Sequence, residues 1–174
     1  MAYVILGLLL LRPMSLYDLT RAFEAGVSLF YSASSGSIKR ALDTLVAQGH
    51  VEVASEEEGG RRRRTHRVTE SGRAHWREWM LAEPTGNLEQ AALSRLHFLG
   101  LLDPAERRGV LEHIEARVAT DLAQLEALES QVAGQEVPEE LRDVATYQLA
   151  TLDYGLASHR HALEWFRARL RQES

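Results

Sequence analysis

The sequence predicts a mainly α-helical protein with a small β-hairpin wing: an N-terminal winged helix-turn-helix followed by a C-terminal antiparallel helical dimerisation domain. Three observations lead there. Residues 34–49 read as a short helix with a polar outer face, residues 50–68 as two strands around an acidic, glycine-rich turn, and residues 104–170 as two long seams of apolar side chains.

The first element is a helix over residues 2–11, apolar almost throughout and therefore expected to be buried on most sides, with Arg12 and Pro13 ending it. This run is too short to cross a bilayer and no charged stretch precedes it, so neither a membrane span nor a signal peptide is expected. Ser15, with Asp18 three residues on, has the form of a capping box. It opens a second helix whose Leu16, Leu19, Ala22 and Phe23 make an apolar stripe up to Gly26. The interval 27–33, apolar and aromatic at Leu29, Phe30 and Tyr31, is expected to cover the core. Ser34 or Ser35 then caps a third helix. In it Ile38, Ala41, Leu42, Leu45 and Val46 recur at helical spacing, while Ser37, Lys39, Arg40, Asp43 and Thr44 face out. Gly49 stops this helix in the position glycine favours. Strands over 50–55 and 63–68 follow, and after Thr69 and Gly72 comes a helix with Trp76, Trp79 and Met80 as a packing triplet.

Pro84 and Gly86 break the helical pattern and place a domain boundary at 83–87, giving a winged-helix domain over 1–83 and a helical domain over 88–174. The second half holds three helices. One covers 88–102; the next begins at Pro104 and runs to about Val132 before Gly134, roughly 40 Å at 1.5 Å per residue. Its Leu111, Ile114, Val118, Leu122, Leu125, Leu128 and Val132 advance by threes and fours. Pro138 opens the last helix, where Ala145, Leu149, Leu152, Leu156, His159, Leu163, Phe166 and Leu170 continue that spacing without interruption. An antiparallel hairpin with a surplus apolar edge results. A second copy of the chain is the expected cover, with Leu149, Leu152, Leu156, His159, Leu163, Phe166 and Leu170 as the dimerisation set.

Charge is distributed unevenly. Residues 1–80 hold 11 basic and 9 acidic side chains, a balance of +2, while residues 81–174 hold 9 basic and 16 acidic, a balance of −7 that outweighs the first and leaves the chain at −5. A basic face on the first half can meet phosphate, and an acidic second half is kept from it. Lys39, the only lysine of the chain, and Arg40 sit near the start of the third helix, where side chains reach base edges in the major groove. Arg61, Arg62, Arg63, Arg64 and Arg67 belong to the hairpin and suit phosphate or minor-groove contact. With Ser35 and Ser37 these make the DNA-binding set. The rival reading is a winged-helix protein-interaction module, favoured if Glu56, Glu57 and Glu58 neutralise the arginines across the turn.

Enzyme chemistry finds no support: there is no cysteine, no phosphate-cradling glycine loop and no metal-ligand spacing, since His159 and His161 do not share a helix face. No catalytic residue, metal or cofactor is expected. Absence of cysteine fits a reducing compartment, and the cytoplasm is the expected location. His159 on the seam reads as a satisfied core histidine, although a protonatable group there would make association pH-dependent.

Residues 5–19 (ILGLLLLRPMSLYDL), 30–42 (FYSASSGSIKRAL), 49–53 (GHVEV) and 61–72 (RRRRTHRVTESG) resemble, in order and spacing, the PadR-like transcriptional regulators. Residues 96–104 (LHFLGLLDP) resemble part of the helical region of that family's longer members. The resemblance implies a homodimeric winged-helix repressor of double-stranded DNA, often responsive to a small molecule. Lys39 and Arg40 stand where members commonly carry an aromatic-proline pair, so the family's operator preferences do not transfer. Leu16 stands where a glycine is usual, a change of packing. Phe98, Tyr154 and Trp165 are the aromatic side chains expected to line a site for a flat hydrophobic effector.

Overall fold

A computed structural model describes residues 1–57 and 63–173. The order is α1 (Ala2–Leu11), β1 (Met14–Ser15), α2 (Leu16–Ala25), α3 (Ser35–Ala47), β2 (Val51–Glu57), β3 (Arg63–Val68), α4 (Glu70–Leu81), α5 (Leu88–Phe98), α6 (Pro104–Val132) and α7 (Arg142–Gln172), with single 3-10 turns at Val27–Leu29, Leu99–Leu101 and Glu139–Leu141. The chain divides into two compact units, Met1–Arg107 and Arg108–Ser174. No described helix is long and apolar enough to cross a membrane.

In the first unit α1 buries Val4, Ile5, Leu6, Gly7, Leu8 and Leu9, and α2, α3, α4 and β3 all pack on it. Both predicted caps form. The Ser15 Oγ accepts the Asp18 amide, and Asp18 in turn accepts the Ser15 N–H at 3.0 Å; Ser34 and Ser37 make the equivalent pair at the start of α3. Gly49 takes φ of +74°, a left-handed conformation that closes α3 and sends the chain into β2. The sheet is antiparallel in the order β1-β3-β2, with His66 of β3 opposite Met14 on one side and Val53 on the other, and the register shifts between Val53 and Ser55.

Four expectations change. β1 was not legible, because a strand of two residues has no periodicity of its own and exists through its pairing with β3. Leu29 does not cover the core: the 3-10 turn buries Val27 and rotates Leu29 outward, leaving it 87% exposed. Val46 also lies on the exposed side of α3, where the inward stripe is Ile38, Leu42 and Leu45. The turn at 84–87 falls inside the first unit, because α5 folds back onto it. Arg95 of α5 is buried, and its guanidinium donates to the carbonyls of Trp79 at 3.0 Å and Ala82 at 3.4 Å and lies 4.4 Å from the Trp79 ring, which stacks on Tyr3. A cation at the C-terminal end of α4 answers the unpaired carbonyls and the negative end of the helix dipole. Three residues on, Phe98 meets Gly7 of α1 and packs edge-on to Trp76.

In the second unit α6 and α7 run antiparallel. Arg160 pairs with Glu126 at 3.2 Å and Arg167 with Glu115 at 2.7 Å, while Leu125 lies against Gly155. Leu111, Ile114, Val118 and Leu122 of α6 are buried, as are Leu156, Leu163 and Phe166 of α7.

Gly72, read from sequence as preceding the fourth helix, lies within its first turn and is buried against β2's entry. A Cβ there would drive into the backbone carbonyl oxygen of His50, which has no flexible end to yield. Gly72→Ala is therefore expected to destabilise by at least the roughly 1–3 kcal/mol of an overpacked core. Gly109→Ala, within α6 and facing open space, is expected to stabilise by about 0.5–1 kcal/mol. Urea unfolding of both variants beside the unsubstituted chain measures the contrast.

Candidate nucleic-acid interface

α3 exposes Ser35, Gly36, Lys39, Arg40, Asp43 and Thr44 along one side. Their surroundings separate residues that look equivalent in the sequence. Lys39 Nζ is held by Asp43 at 2.6 Å, one turn along the same helix. Arg40 makes no ion pair among the described residues, so its guanidinium fork is the cation that α3 offers outward. Ser35 is exposed in the first turn. The Ser37 hydroxyl is occupied, accepting the Ser34 amide at 2.9 Å and donating to the Ser34 carbonyl at 2.7 Å, so its role is to cap α3.

The wing sets acids against bases. Arg67 Nε bonds Glu52 at 2.6 Å, and the strand register places Arg64 opposite Glu56 and Arg63 opposite Glu57. Arg61 and Arg62, with Glu58, lie outside the described residues. The Ser55 and Thr65 hydroxyls, 2.6 Å apart, join the two strands beside the register shift. His66 Nδ1 is buried without a hydrogen-bond partner. Burial holds this imidazole below its usual 6.5, and the nearby Arg64 charge adds to the effect, against a hydrogen bond to the Met14 backbone and the attraction of Asp43. His97, packed against Phe30 and Phe98, is lowered by burial alone.

The three aromatic side chains expected to line an effector site have different local surroundings. Phe98 is spent in the core of the first unit, Tyr154 is 74% exposed on α7, and Trp165 packs edge-on to Phe166 beneath Arg169. The dimerisation set is also divided. Leu156, Leu163 and Phe166 are buried within the chain, Leu152, His159 and Leu170 are half-buried, and Leu149 is exposed. His159 Nδ1 lies 2.8 Å from the Gly155 carbonyl one turn back, a satisfied histidine. Missed by the sequence reading are the exposed apolar side chains Val137, Leu141, Val144 and Tyr147, whose signal was apolar residues outside the heptad spacing. Among the described residues no group of His, Asp and Glu is placed to hold a metal.

A three-helix core with a two-stranded wing and an outward-facing third helix defines a winged helix-turn-helix protein. Residues 5–78 match the Transcriptional regulator PadR-like family and residues 90–172 the Virulence activator alpha C-term family. Residues 5–78 therefore form a PadR-like domain. Similar solved structures include Bacillus subtilis PadR in complex with operator DNA (19% identity, 99% of this chain and 98% of that one, TM-score 0.46) and the same protein in complex with p-coumaric acid (20% identity, 98% and 96%, TM-score 0.44). A PadR-like regulator from Bacillus cereus is similar at 21% identity over 99% and 95%, with a TM-score of 0.44. No curated protein matches this chain.

Because both lowered imidazoles are neutral in the fold, the unfolded chain binds more protons between their lowered values and 6.5. Stability then rises with pH across that window and is lost on acidification below 6.5. Thermal melts from about pH 7.5 to about pH 5 are expected to show a falling Tm, with a shallower fall in the His66→Asn, His97→Asn double variant.

Proposed function

We propose that the protein is a homodimeric repressor that binds a two-fold symmetric DNA operator through α3 and the wing and releases it when a small hydrophobic or aromatic effector binds. The observation that carries this reading is Arg40, exposed and without an ion pair among the described residues, on the third helix of a PadR-like domain. Its fork can bind guanine O6 and N7 together, whereas Lys39, a point charge already engaged by Asp43, would have to give up that pair to contribute. Arg64, exposed on β3, supplies phosphate contact from the wing. Two-fold operators call for a dimer. The exposed apolar side chains of α7, Val144, Tyr147, Leu149 and Tyr154, support a second copy as their cover. The two aromatic relatives of the effector reading that remain near solvent, Tyr154 and Trp165, lie on the same helix. Bacillus subtilis PadR, crystallised with operator DNA and with p-coumaric acid, has both kinds of partner.

Arg40→Ala is expected to lose about 1–3 kcal/mol on a duplex selected from a random pool and to flatten discrimination at the contacted base. Arg64→Ala is expected to weaken selected and unrelated duplexes alike and to lower the slope of log affinity against log salt by about one unit. Binding titrations across salt concentrations measure both; no wild-type binding at low salt refutes the DNA reading.

Analytical ultracentrifugation of the full chain at micromolar concentration is expected to give a dimer. Replacing Tyr147 and Tyr154 together by Asp is expected to shift it toward monomer, since charge placed in an apolar interface is costly to desolvate.

A further inference from the structure

α2 carries two outward side chains that neither the core nor the caps employ. Leu19 and Phe23 point inward, and Tyr17 and Arg21 lie one turn apart on the opposite side. Tyr17 is 70% exposed, and neither its ring and hydroxyl nor the Arg21 guanidinium makes a hydrogen bond, ion pair or ring contact among the described residues. A tyrosine that open on a ten-residue helix contributes little to the packing of its own unit. Asp18, between them on the helix, is turned back onto Ser15, accepting its amide at 3.0 Å and its hydroxyl at 2.7 Å. Glu24, one turn beyond Arg21, is exposed and makes no ion pair with it among the described residues.

We infer that Tyr17 and Arg21 form a second DNA contact, a sequence-independent clamp on backbone phosphate made by the first helix of the helix-turn-helix. This rests on the DNA-binding reading above. In a helix-turn-helix the second helix enters the major groove while the first crosses the sugar-phosphate backbone, and here α2 packs directly on α3. The chemistry fits phosphate oxygens: a phenolic O–H donates one neutral hydrogen bond and a guanidinium donates a charged pair. Neither side chain reads a base, so their contribution is to fix the register of α3 on the duplex.

The two members make different contributions, which a salt titration separates. Using the full-length chain and a duplex of mixed sequence, Tyr17→Phe is expected to weaken binding several-fold at every salt concentration with the slope unchanged, because a neutral donor releases no counterion. Arg21→Gln is expected to lower the slope by about one unit, and Arg21→Lys to restore it. Circular dichroism melts check that each variant folds; both side chains are exposed, so wild-type melting is expected. Wild-type-like titration by either Tyr17→Phe or Arg21→Gln overturns the clamp while leaving DNA binding by α3 in place. Failure of the unsubstituted chain to bind any duplex at low salt overturns both readings.

Discussion

The burial of α1 is the constraint on which the first unit depends. A ten-residue helix without a polar face has to be enclosed, and its five buried apolar side chains at roughly 1.5–3 kcal/mol each contribute on the order of 10 kcal/mol before entropy is counted. The enclosing is done by α2, α3, α4 and β3 together, and Phe98 of α5 seats on Gly7. The third helix of the helix-turn-helix and the central strand of the wing are thus referred to one common support. An exposed residue such as Arg40 inherits a fixed position from a core it does not touch.

Connections between neighbouring elements are equally economical. His50 ends the turn after α3, and its carbonyl takes the Thr69 amide and lies against Gly72, so the start of α4 is pinned to the base of the wing. Arg95 pins the other end of α4 to α5 through carbonyls that the helix leaves unsatisfied. Each contact uses a backbone group that needs a partner on burial. A buried cation is tolerable at Arg95 because it faces carbonyl oxygens and the Trp79 ring in a place where the helix dipole is negative.

Electrostatic roles are sorted by local pairing more than by regional charge. The basic balance of the first eighty residues marks the half that can approach phosphate, yet within it Lys39 is engaged by Asp43 and Arg67 by Glu52, while Arg40 stays open. In the acidic half, Arg160 and Arg167 serve as bridges between α6 and α7. Such exposed pairs are worth little individually, about 0.2–1 kcal/mol, and they yield readily to a stronger anion. That makes wing arginines with carboxylate neighbours compatible with phosphate contact.

The sequence by itself determined the helices, their caps and the class of the protein, because these are local: Ser15 with Asp18, Ser34 with Ser37, Gly49, Pro104 and the spacing of apolar residues act within a few positions of themselves. The candidate site was legible in the same way, as basic residues on the polar side of α3. What only the tertiary structure decided are questions of partnership between distant segments. β1 exists by virtue of β3, Leu29 is exposed by the turn that buries Val27, and α5 joins the first unit through Arg95 and Phe98. The heptad seam of α7 reads as a dimer surface in one dimension, but α6 returns alongside it and takes up Leu156, Leu163 and Phe166, leaving Tyr147 and Tyr154 outward. Periodicity states that a helix has an apolar face; it does not name the neighbour, since any antiparallel helix of matching spacing satisfies the same burial, and the one tethered by a short loop pays the smaller loss of entropy.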